Sequence, residues 1–476
     1  CADILDHSIP SKENAAVAKA LLLGDKEYIS DDLMLSYSSS GTLHVLAVSG
    51  LHVGIIMLVL NFLLQPIRKF KNGKYIFLVL ALSGIWFYTL LTGFTPSILR
   101  AAVMFSFVII GKEMQRDTTI QQSLLVSAFI LIILDPHIIF QIGFLLSYLA
   151  VAGIVYFHPL IYNKLYFRQK WADKIWQLSS VSIAAQISTL PISVYCFHQF
   201  PNYFLFANLI VIPVSFFILI LGIFALLIHA IPYLGDFSFY LLDKLIEFMN
   251  GSISVFDKMP FAVTKNLIIK WYDVLILYTV ILFSYLSFVN RSKQFLFTTF
   301  FFLSLFCGSL WQNTAVKWKQ NSVTIYSADG EIAIDYFKQN TLISFTTKTA
   351  VPDEKKLNFH IYPNRQQQVF KTEPDTIVRI NTKNAVIEIE NEKILFVNQI
   401  YADSIFALGF PKTDFVYLYD ISFIRSELSD FLSKEKIPVL LGDGVSYKMK
   451  NYLKNPELEL VYHDLQQQGS ITRTFN

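Results

Sequence analysis

The chain has 476 residues, of which 54% are hydrophobic and 16% are charged, and its formal net charge is +3. Soluble domains contain about 25% charged residues, so this composition excludes an ordinary soluble protein, and the small net charge points to no acidic partner. Cys1, Cys196 and Cys307 are too few and too scattered for a disulfide framework or a zinc site.

Residues 1–40 are mixed and partly amphipathic, and the Ala- and Leu-rich stretch 14–23 predicts a helix that ends at Gly24. Long apolar runs follow, several of them free of charge over the roughly 20 residues needed to cross a bilayer. Between the seventh and eighth runs, residues 237–256 mix acidic and basic side chains with Leu and Phe, which predicts a helix lying at the membrane interface. We expect about eight to ten membrane segments, some of them broken or re-entrant. The nine candidate runs are 43–65, 75–93, 96–112, 118–134, 136–160, 175–199, 203–231, 272–290 and 294–312.

After residue 316 the pattern changes to short alternating segments that are typical of strands in a soluble domain. A helix near 424–432 and the Gly442-Asp443-Gly444 turn add an α/β character. The sequence therefore predicts an amphipathic N-terminal segment (1–40), a helical membrane domain (41–316) and a small β-rich α/β soluble domain (317–476). The predicted strands are 322–326, 385–389, 393–397, 414–419 and 438–441.

Basic residues between the runs predict the orientation, because loops rich in Lys and Arg stay in the cytoplasm. Strict alternation of the nine runs would leave Arg291 and Lys293 outside, against this rule. We therefore expect one segment to be miscounted, Arg291 and Lys293 to be cytoplasmic and the C-terminal domain to be extracytoplasmic. The loops that set the orientation carry Arg68, Lys69, Lys71 and Lys74, and Lys164, Arg168, Lys170 and Lys174.

Four blocks of the membrane domain, in order, resemble the signature of the ComEC-type competence family over roughly residues 15–222. They are 20–25 with 40–54, 93–101, 135–151, and 185–191 continuing to Pro213. The resemblance implies a multi-pass channel of the bacterial inner membrane that moves single-stranded DNA into the cytoplasm during natural transformation. It also implies a DNA receptor, a cytoplasmic ATPase and single-strand-binding proteins as partners besides membrane lipid, and it leaves a homo-oligomer open. No phosphate-binding loop of the G-x-x-x-x-G-K-[ST] type occurs, so any motor is a separate protein.

Polar side chains inside the apolar runs are the candidate lining of such a path, because polar groups at that depth are costly. Arg100 is the most specific candidate among them. It either binds phosphate oxygens in the path or snorkels to water from a site near the membrane face. The other polar candidates either line the path or join helices. The full set is His44, Ser49, His52, Arg100, Gln141, Ser147, Gln186 and Asn208.

A continuous helix over 44–52 would let only Ser49 and His52 meet, since His44 lies roughly 140° from Ser49 at about 100° per residue. This pair leaves an intramembrane hydrolase open, with His44 as its partner if the helix breaks at Gly50. A transporter of another anionic polymer or solute is the remaining alternative. We assign no catalytic residue and no cofactor, and expect no enzyme activity.

Glycines and prolines in the same blocks predict how the helices meet. Gly50 and Gly54, one turn apart, would permit close helix contact. Pro96, Pro191 and Pro213 are expected to interrupt helices around the path.

The C-terminal domain departs from many ComEC-type proteins, whose metallo-β-lactamase-like domain needs a histidine-rich two-metal site. Beyond Trp318 only His360 and His463 remain, which is too few for that site. We expect a reduced, metal-free form of the fold, with an unrelated β-rich domain as the alternative.

Overall fold

The computed structural model divides the chain into two compact units, Cys1–Phe306 and Cys307–Asn476. The helical first unit and the sheets of the second confirm the predicted fold class, a multi-pass membrane domain followed by a small soluble domain. The sequence-based boundaries after residues 40 and 316 stay predictions. The structure describes residues 1–114, 119–265, 267–319, 321–328, 331–338, 341–346, 361, 365, 374–379, 386–389, 392–397, 412–419, 421–422, 432–442, 444–453, 461–465 and 470–475.

Four short helices open the chain: α1 (Ala2–Ser8), α2 (Lys12–Leu23), α3 (Asp31–Ser39) and α4 (Leu43–Leu46). Helix α2 confirms the prediction for residues 14–23. It begins where the Ser11 side chain accepts the Asn14 N–H at 3.3 Å. It ends at Gly24, whose φ of 81° is a left-handed conformation that glycine adopts without strain.

Ten longer helices form the rest of the membrane domain. They are α5 (Gly50–Leu64), α6 (Gly73–Leu91), α7 (Pro96–Glu113), α8 (Ile120–Leu134), α9 (Ile142–Tyr162), α10 (Lys170–Phe197), α11 (Phe204–Ile228), α12 (Leu234–Asp257), α13 (Trp271–Asn290) and α14 (Lys293–Lys319).

Seven helices in the described part of the chain are long and apolar enough to cross a membrane, and they correspond to seven of the nine predicted runs. They are α5 with the turn that extends it to Lys69, α6, α9, α10, α11, α13 and α14. The two other runs form α7 and α8. Helix α7 carries Arg100, Lys112 and Glu113 within 18 residues, and α8 has 15 residues, or about 22 Å.

Helix α12 packs antiparallel against α11, and the interfacial location of residues 237–256 stays a prediction. Residues 229–233 join the two helices at one end. At the other end, strands β1 (Gln199–Pro201) and β2 (Val263–Lys265) pair antiparallel, directly before α11 and a few residues after α12. Ile246 and Met249 of α12 are fully buried in the same apolar cluster as Ile218 and Leu219 of α11. Of the charged residues of α12, Asp243 is buried against Asn14 of α2, whereas Lys244 and Glu247 are exposed and pair with each other.

Two of the basic loops lie at the same end of the membrane domain. The Lys164 ammonium lies 4.1 Å from the Phe288 ring centroid, and Phe157 meets Tyr285 edge to face. Helices α9 and α13 therefore end side by side.

The described strands of the C-terminal unit form two five-stranded sheets. The first has the order β12-β3-β4-β5-β6 and is antiparallel except for the β5–β6 pair. The second has the order β11-β10-β9-β8-β7 and is parallel except for the β7–β8 pair. The strands are β3 (Asn321–Ala328), β4 (Glu331–Lys338), β5 (Thr341–Thr346), β6 (Thr376–Arg379), β7 (Val386–Ile389), β8 (Glu392–Val397), β9 (Phe415–Leu418), β10 (Val439–Leu441), β11 (Tyr462–Asp464) and β12 (Ile471–Phe475).

The two sheets share one apolar cluster, in which Val323 and Ile325 of the first pack with Phe396 and Tyr417 of the second. The opposite face of the second sheet is covered by helix α15 (Tyr447–Leu453) through Met449 and Leu453. All five predicted strands are present, whereas the helix predicted near 424–432 lies almost entirely outside the described residues.

On its other face the first sheet holds a buried ion pair. The Arg365 guanidinium donates to both carboxylate oxygens of Asp335, at 2.6 and 2.8 Å, and also to Ser344 at 3.0 Å. Asp335 and Ser344 are register partners on β4 and β5. The pair thus ties Arg365 to the middle of the sheet.

Candidate functional site

The first family block contains a break between α4 and α5, so residues 44–52 do not form one continuous helix. Helix α4 ends at Leu46, Ala47 is extended, and Ser49 is the N-cap of α5. The break places His44 on the short helix with its side chain exposed, while His52 lies in the first turn of α5 and is 2% exposed.

Ser49 and His52 meet, as the helical spacing predicted. The Ser49 hydroxyl lies 3.1 Å from His52 Nδ1, and the Ser49 backbone N–H donates to the same nitrogen at 3.1 Å. A neutral imidazole has one acceptor nitrogen. Because the backbone N–H already uses it, this nitrogen is poorly placed to take a proton from the hydroxyl. The arrangement is a helix cap in which both partners satisfy groups at the start of α5.

Arg100 lies on the fifth residue of α7 and is 5% exposed. Its Nε and Nη1 groups have no hydrogen-bond partner among the described residues. The guanidinium carbon lies 5.9 Å from the Phe144 ring centroid and 6.0 Å from that of Tyr148, both on α9. This burial does not fit a side chain that snorkels to water.

A hydrogen bond holds the ring beside Arg100 in place. The Tyr148 hydroxyl lies 3.0 Å from the Ser127 hydroxyl of α8. Three helices therefore form the surroundings of the guanidinium: α7 supplies it, α9 supplies two aromatic faces, and α8 fixes one of them. Aromatic faces attract a cation by a modest amount, about 0.5–2 kcal/mol, and they do not neutralise its charge.

The other polar candidates are distributed over three helices. Gln141 is exposed at the N-cap of α9, and Ser147 follows it on the same helix with partial burial. Gln186 is partly buried on α10. Asn208 of α11 is 7% exposed, and its Oδ1 is buried without a partner in the described structure.

The glycine predictions correspond to a close helix contact. A Cβ built on Gly50 would lie 3.7 Å from Ala101, and one built on Gly54 would lie 3.4 Å from Phe105. Both contacts are on α7, so α5 and α7 run parallel through this glycine face. Gly153 makes a tighter approach that the sequence analysis missed: its added Cβ would lie 2.6 Å from the Ala184 carbonyl oxygen of α10.

The prediction that a proline interrupts its helix is wrong for Pro191 and Pro213. Pro96 lies in the first turn of α7, where proline needs no N–H partner. Pro191 and Pro213 lie inside α10 and α11, which continue through them as helices. Neighbouring helices in a membrane tolerate internal proline in this way, so these residues do not divide the segments.

The more spacious of two described clefts lies between α2, α3 and α12 and is lined by none of the predicted residues. Its volume is about 580 Å³. Lys244 pairs with Glu247 at 2.6 Å, and Asp243 accepts the Asn14 amide at 2.8 Å. Its acidic lining residues are Glu13, Asp32, Asp243 and Glu247. Such a lining repels a polyanion, so a negatively charged strand is disfavoured here.

No group of three His, Cys, Asp or Glu residues that could hold a metal ion occurs among the described residues. His463 lies on β11, whereas His360 falls outside them. The metal-free C-terminal domain therefore stays a prediction.

Comparisons with known proteins place the membrane domain in one family. The family described as Competence protein matches residues 21–291. ComE operon protein 3 of Bacillus subtilis is 31% identical over 250 residues, which cover 52% of this chain and 31% of that protein. Recombination protein 2 of Haemophilus influenzae is 26% identical over 262 residues, covering 52% of this chain and 32% of its own length.

The matched segment spans about a third of the length of these curated relatives. Protein YcaI of Escherichia coli, whose function is uncharacterised, is 24% identical over 219 residues, or 45% of this chain and 29% of its own. No solved structure matches the chain. The family match covers more than half of the 476 residues and all four sequence blocks. This multi-pass membrane protein belongs to the competence protein family.

Proposed function

We propose that the chain forms the membrane part of a DNA uptake channel and carries single-stranded DNA into the cytoplasm during natural transformation. The observation that supports this proposal is Arg100, a buried guanidinium in the membrane domain with two groups unpartnered in the described structure. Family membership gives the substrate class, since competence proteins serve DNA uptake.

The Arg100 guanidinium has no anionic partner among the described residues. An ionisable group inside a membrane protein is expensive and is normally paired or set in a hydrated path. Arg100 has aromatic rings beside it and no acid among its described contacts. A guanidinium binds phosphate oxygens through directed N–H groups, and this charge-assisted bond is strong. A passing DNA phosphate would supply the absent partner and then leave, because nothing ties it to the protein.

The geometry of the loops suggests an orientation. We propose that the ends of α9 and α13 face the cytoplasm, because their loops carry Lys164 and Arg291. Helix α14 crosses once more, which would make the C-terminal domain extracytoplasmic. In this orientation a separate ATPase and single-strand-binding proteins would act at the basic end, and a DNA receptor at the opposite one.

The experiment is uptake of labelled DNA into a nuclease-protected form by competent cells. Arg100→Gln should reduce uptake at least tenfold with surface binding intact, because the amide cannot bind phosphate as a cation. Arg100→Lys should retain part of the activity, since it keeps the charge and loses the fork of donors. The control is Lys69→Gln, an exposed basic residue of another loop.

Normal uptake by Arg100→Gln at wild-type protein level would remove this residue from the path. Equal losses in Arg100→Gln and Lys69→Gln would indicate a general charge effect. Should another labelled anionic polymer enter through the wild-type protein in place of DNA, the alternative transport function would replace the proposal.

The contact between Ser49 and His52 favours a second candidate, an intramembrane hydrolase. We propose instead that the protein is not an enzyme and that this pair caps α5. Ser49→Ala should then lower stability by about 1 kcal/mol and leave DNA uptake near the wild-type level. Complete loss of function in a folded Ser49→Ala protein would favour the hydrolase.

The C-terminal domain is open to a similar proposal. Its two packed sheets with a helix on one outer face are compatible with a reduced metallo-β-lactamase-like domain. We propose that it takes no metal, and metal analysis of the purified chain tests this directly.

A further inference from the structure

The loop between α9 and α10 forms a second cleft, of about 370 Å³, that is unlike the acidic cleft. Arg168 and Lys170 line it, and both are exposed, with no ion pair among the described contacts. The acid in the cleft, Asp173, already accepts the Tyr162 hydroxyl at 2.8 Å. The cleft therefore holds two cations and one carboxylate, and its net charge is positive.

The start of α10 adds donors on the same side. No side chain caps this helix, which begins after Gln169. In an α-helix the N–H groups of the first residues, here 170–172, have no intrahelical partner, and the helix dipole favours an anion there. The Asp173 N–H already donates to the Gln169 carbonyl oxygen at 2.9 Å. A phosphate group in the cleft would meet Arg168, Lys170 and the N–H groups of residues 170–172 together.

The position of the cleft indicates where that phosphate comes from. Helices α9 and α10 are both long and apolar enough to span the membrane, and the cleft lies between their adjoining ends. This is the level at which lipid headgroups lie. Trp171 and Ile175, one turn apart on α10, are 69% and 46% exposed, and Leu165 of the loop is 50% exposed. A lipid chain can cover this apolar strip while its phosphate enters the cleft.

We propose that this cleft is a binding site for the headgroup of an anionic glycerophospholipid. Arg168 and Lys170 hold the phosphate, the exposed Tyr166 closes one wall, and Trp171 with Ile175 contacts an acyl chain. The site is independent of the DNA path and anchors the α9–α10 connection at one face of the membrane. Single-stranded DNA is the competing ligand, because it carries the same phosphodiester and also stacks on aromatic rings. The apolar strip favours lipid, since a DNA strand would leave it uncovered.

The test is lipid binding by the purified full chain in detergent, measured by native mass spectrometry with phosphatidylglycerol or phosphatidylcholine added. The wild-type protein should bind phosphatidylglycerol more tightly. The Arg168→Gln/Lys170→Gln variant should bind it about 30-fold more weakly, at roughly 1 kcal/mol for each basic residue. The matched control is Lys69→Gln/Lys71→Gln, which removes two exposed charges from a loop that does not line the cleft.

Retained phosphatidylglycerol binding in the control, with loss only in the cleft variant and an unchanged elution volume, supports the proposal. Equal binding of both lipids by the wild type, equal loss in the two variants, or unchanged binding by the cleft variant overturns it. A short oligothymidylate that displaces phosphatidylglycerol from the wild type and loses affinity in the cleft variant would assign the cleft to DNA instead. These results do not depend on whether Arg100 is needed for DNA uptake.

Discussion

An arginine side chain lies near each end of helix α7, and the two arginines differ in their charged partners. At its C-terminal end Arg68 donates to Glu113 at 2.5 Å and lies 3.7 Å from the Phe77 ring centroid. Near its N-terminal end Arg100 is more deeply buried and has aromatic neighbours without a described acid. Arg68 has an acidic partner within the protein, and its Nε, like that of Arg100, lacks a hydrogen-bond partner among the described residues. Arg100 differs from it in having no acid among its described contacts. A stabilising charge and a functional one are thus distinguished by their partners.

The C-terminal domain contains a fully buried ion pair, Asp335 with Arg365. Breaking this pair should have the largest effect on stability. Asp335 is fully buried, and Arg365 holds both of its carboxylate oxygens. Asp335→Asn would leave the guanidinium buried without its counter-charge, at a cost of about 3–5 kcal/mol. Hydrogen exchange of the strand β4 amides in the full chain should rise strongly.

The control for Asp335→Asn is Glu388→Gln in the same domain. Glu388 faces Lys393 at 3.6 Å, and their side chains are 59% and 44% exposed. Exposed pairs contribute about 0–1 kcal/mol, so exchange in this variant should stay near the wild-type rate. Similar exchange in both variants would show that the buried pair is not the element that stabilises the sheet.

The second-largest loss of stability is expected for variants of Arg68. Its side chain is 27% exposed and that of Glu113 is 9% exposed, so the Arg68→Gln variant leaves a mostly buried carboxylate unpaired. We expect a loss of about 2–3 kcal/mol, below that of a fully buried pair because water reaches Arg68. Thermal unfolding of the purified protein measures it.

The double variant Arg68→Gln/Glu113→Gln completes the test of the ion pair. It removes both charges together and should recover most of the lost stability. If the two single losses simply add in the double variant, the residues act independently and no coupled pair exists.

The sequence revealed the parts of the fold that depend on local pattern. Seven apolar runs became helices of spanning length, and all five alternating segments became strands. Helix α12 was predicted from its charges to lie at the membrane interface. Asp243 of this helix is buried against Asn14, a residue 229 positions away in the chain. Such a pairing is invisible to local composition.

The candidate site shows the same division between local and distant information. The Ser49–His52 contact was predictable because its partners are three positions apart in the chain. The surroundings of Arg100 were not, since Phe144, Tyr148 and Ser127 come from two other helices. Proline was misleading for a related reason. Pro191 and Pro213 break helices in isolation, and only the neighbouring helices permit the continuous ones observed.

The smallest effect on stability should come from Arg100 itself, which makes it the sharpest test of the comparison. An arginine that completes a structural site costs stability when it is removed, as Arg68 should. Arg100 has no acid among its described contacts, so Arg100→Gln leaves no carboxylate unpaired. The variant removes an uncompensated charge and loses only the contact with the rings of Phe144 and Tyr148. We expect the free energy of unfolding to stay within about 1 kcal/mol of wild type, while DNA uptake falls. A loss of stability as large as that of Arg68→Gln would mean that Arg100 is a structural residue with a partner inside the protein, and the two ends of α7 would no longer differ in kind.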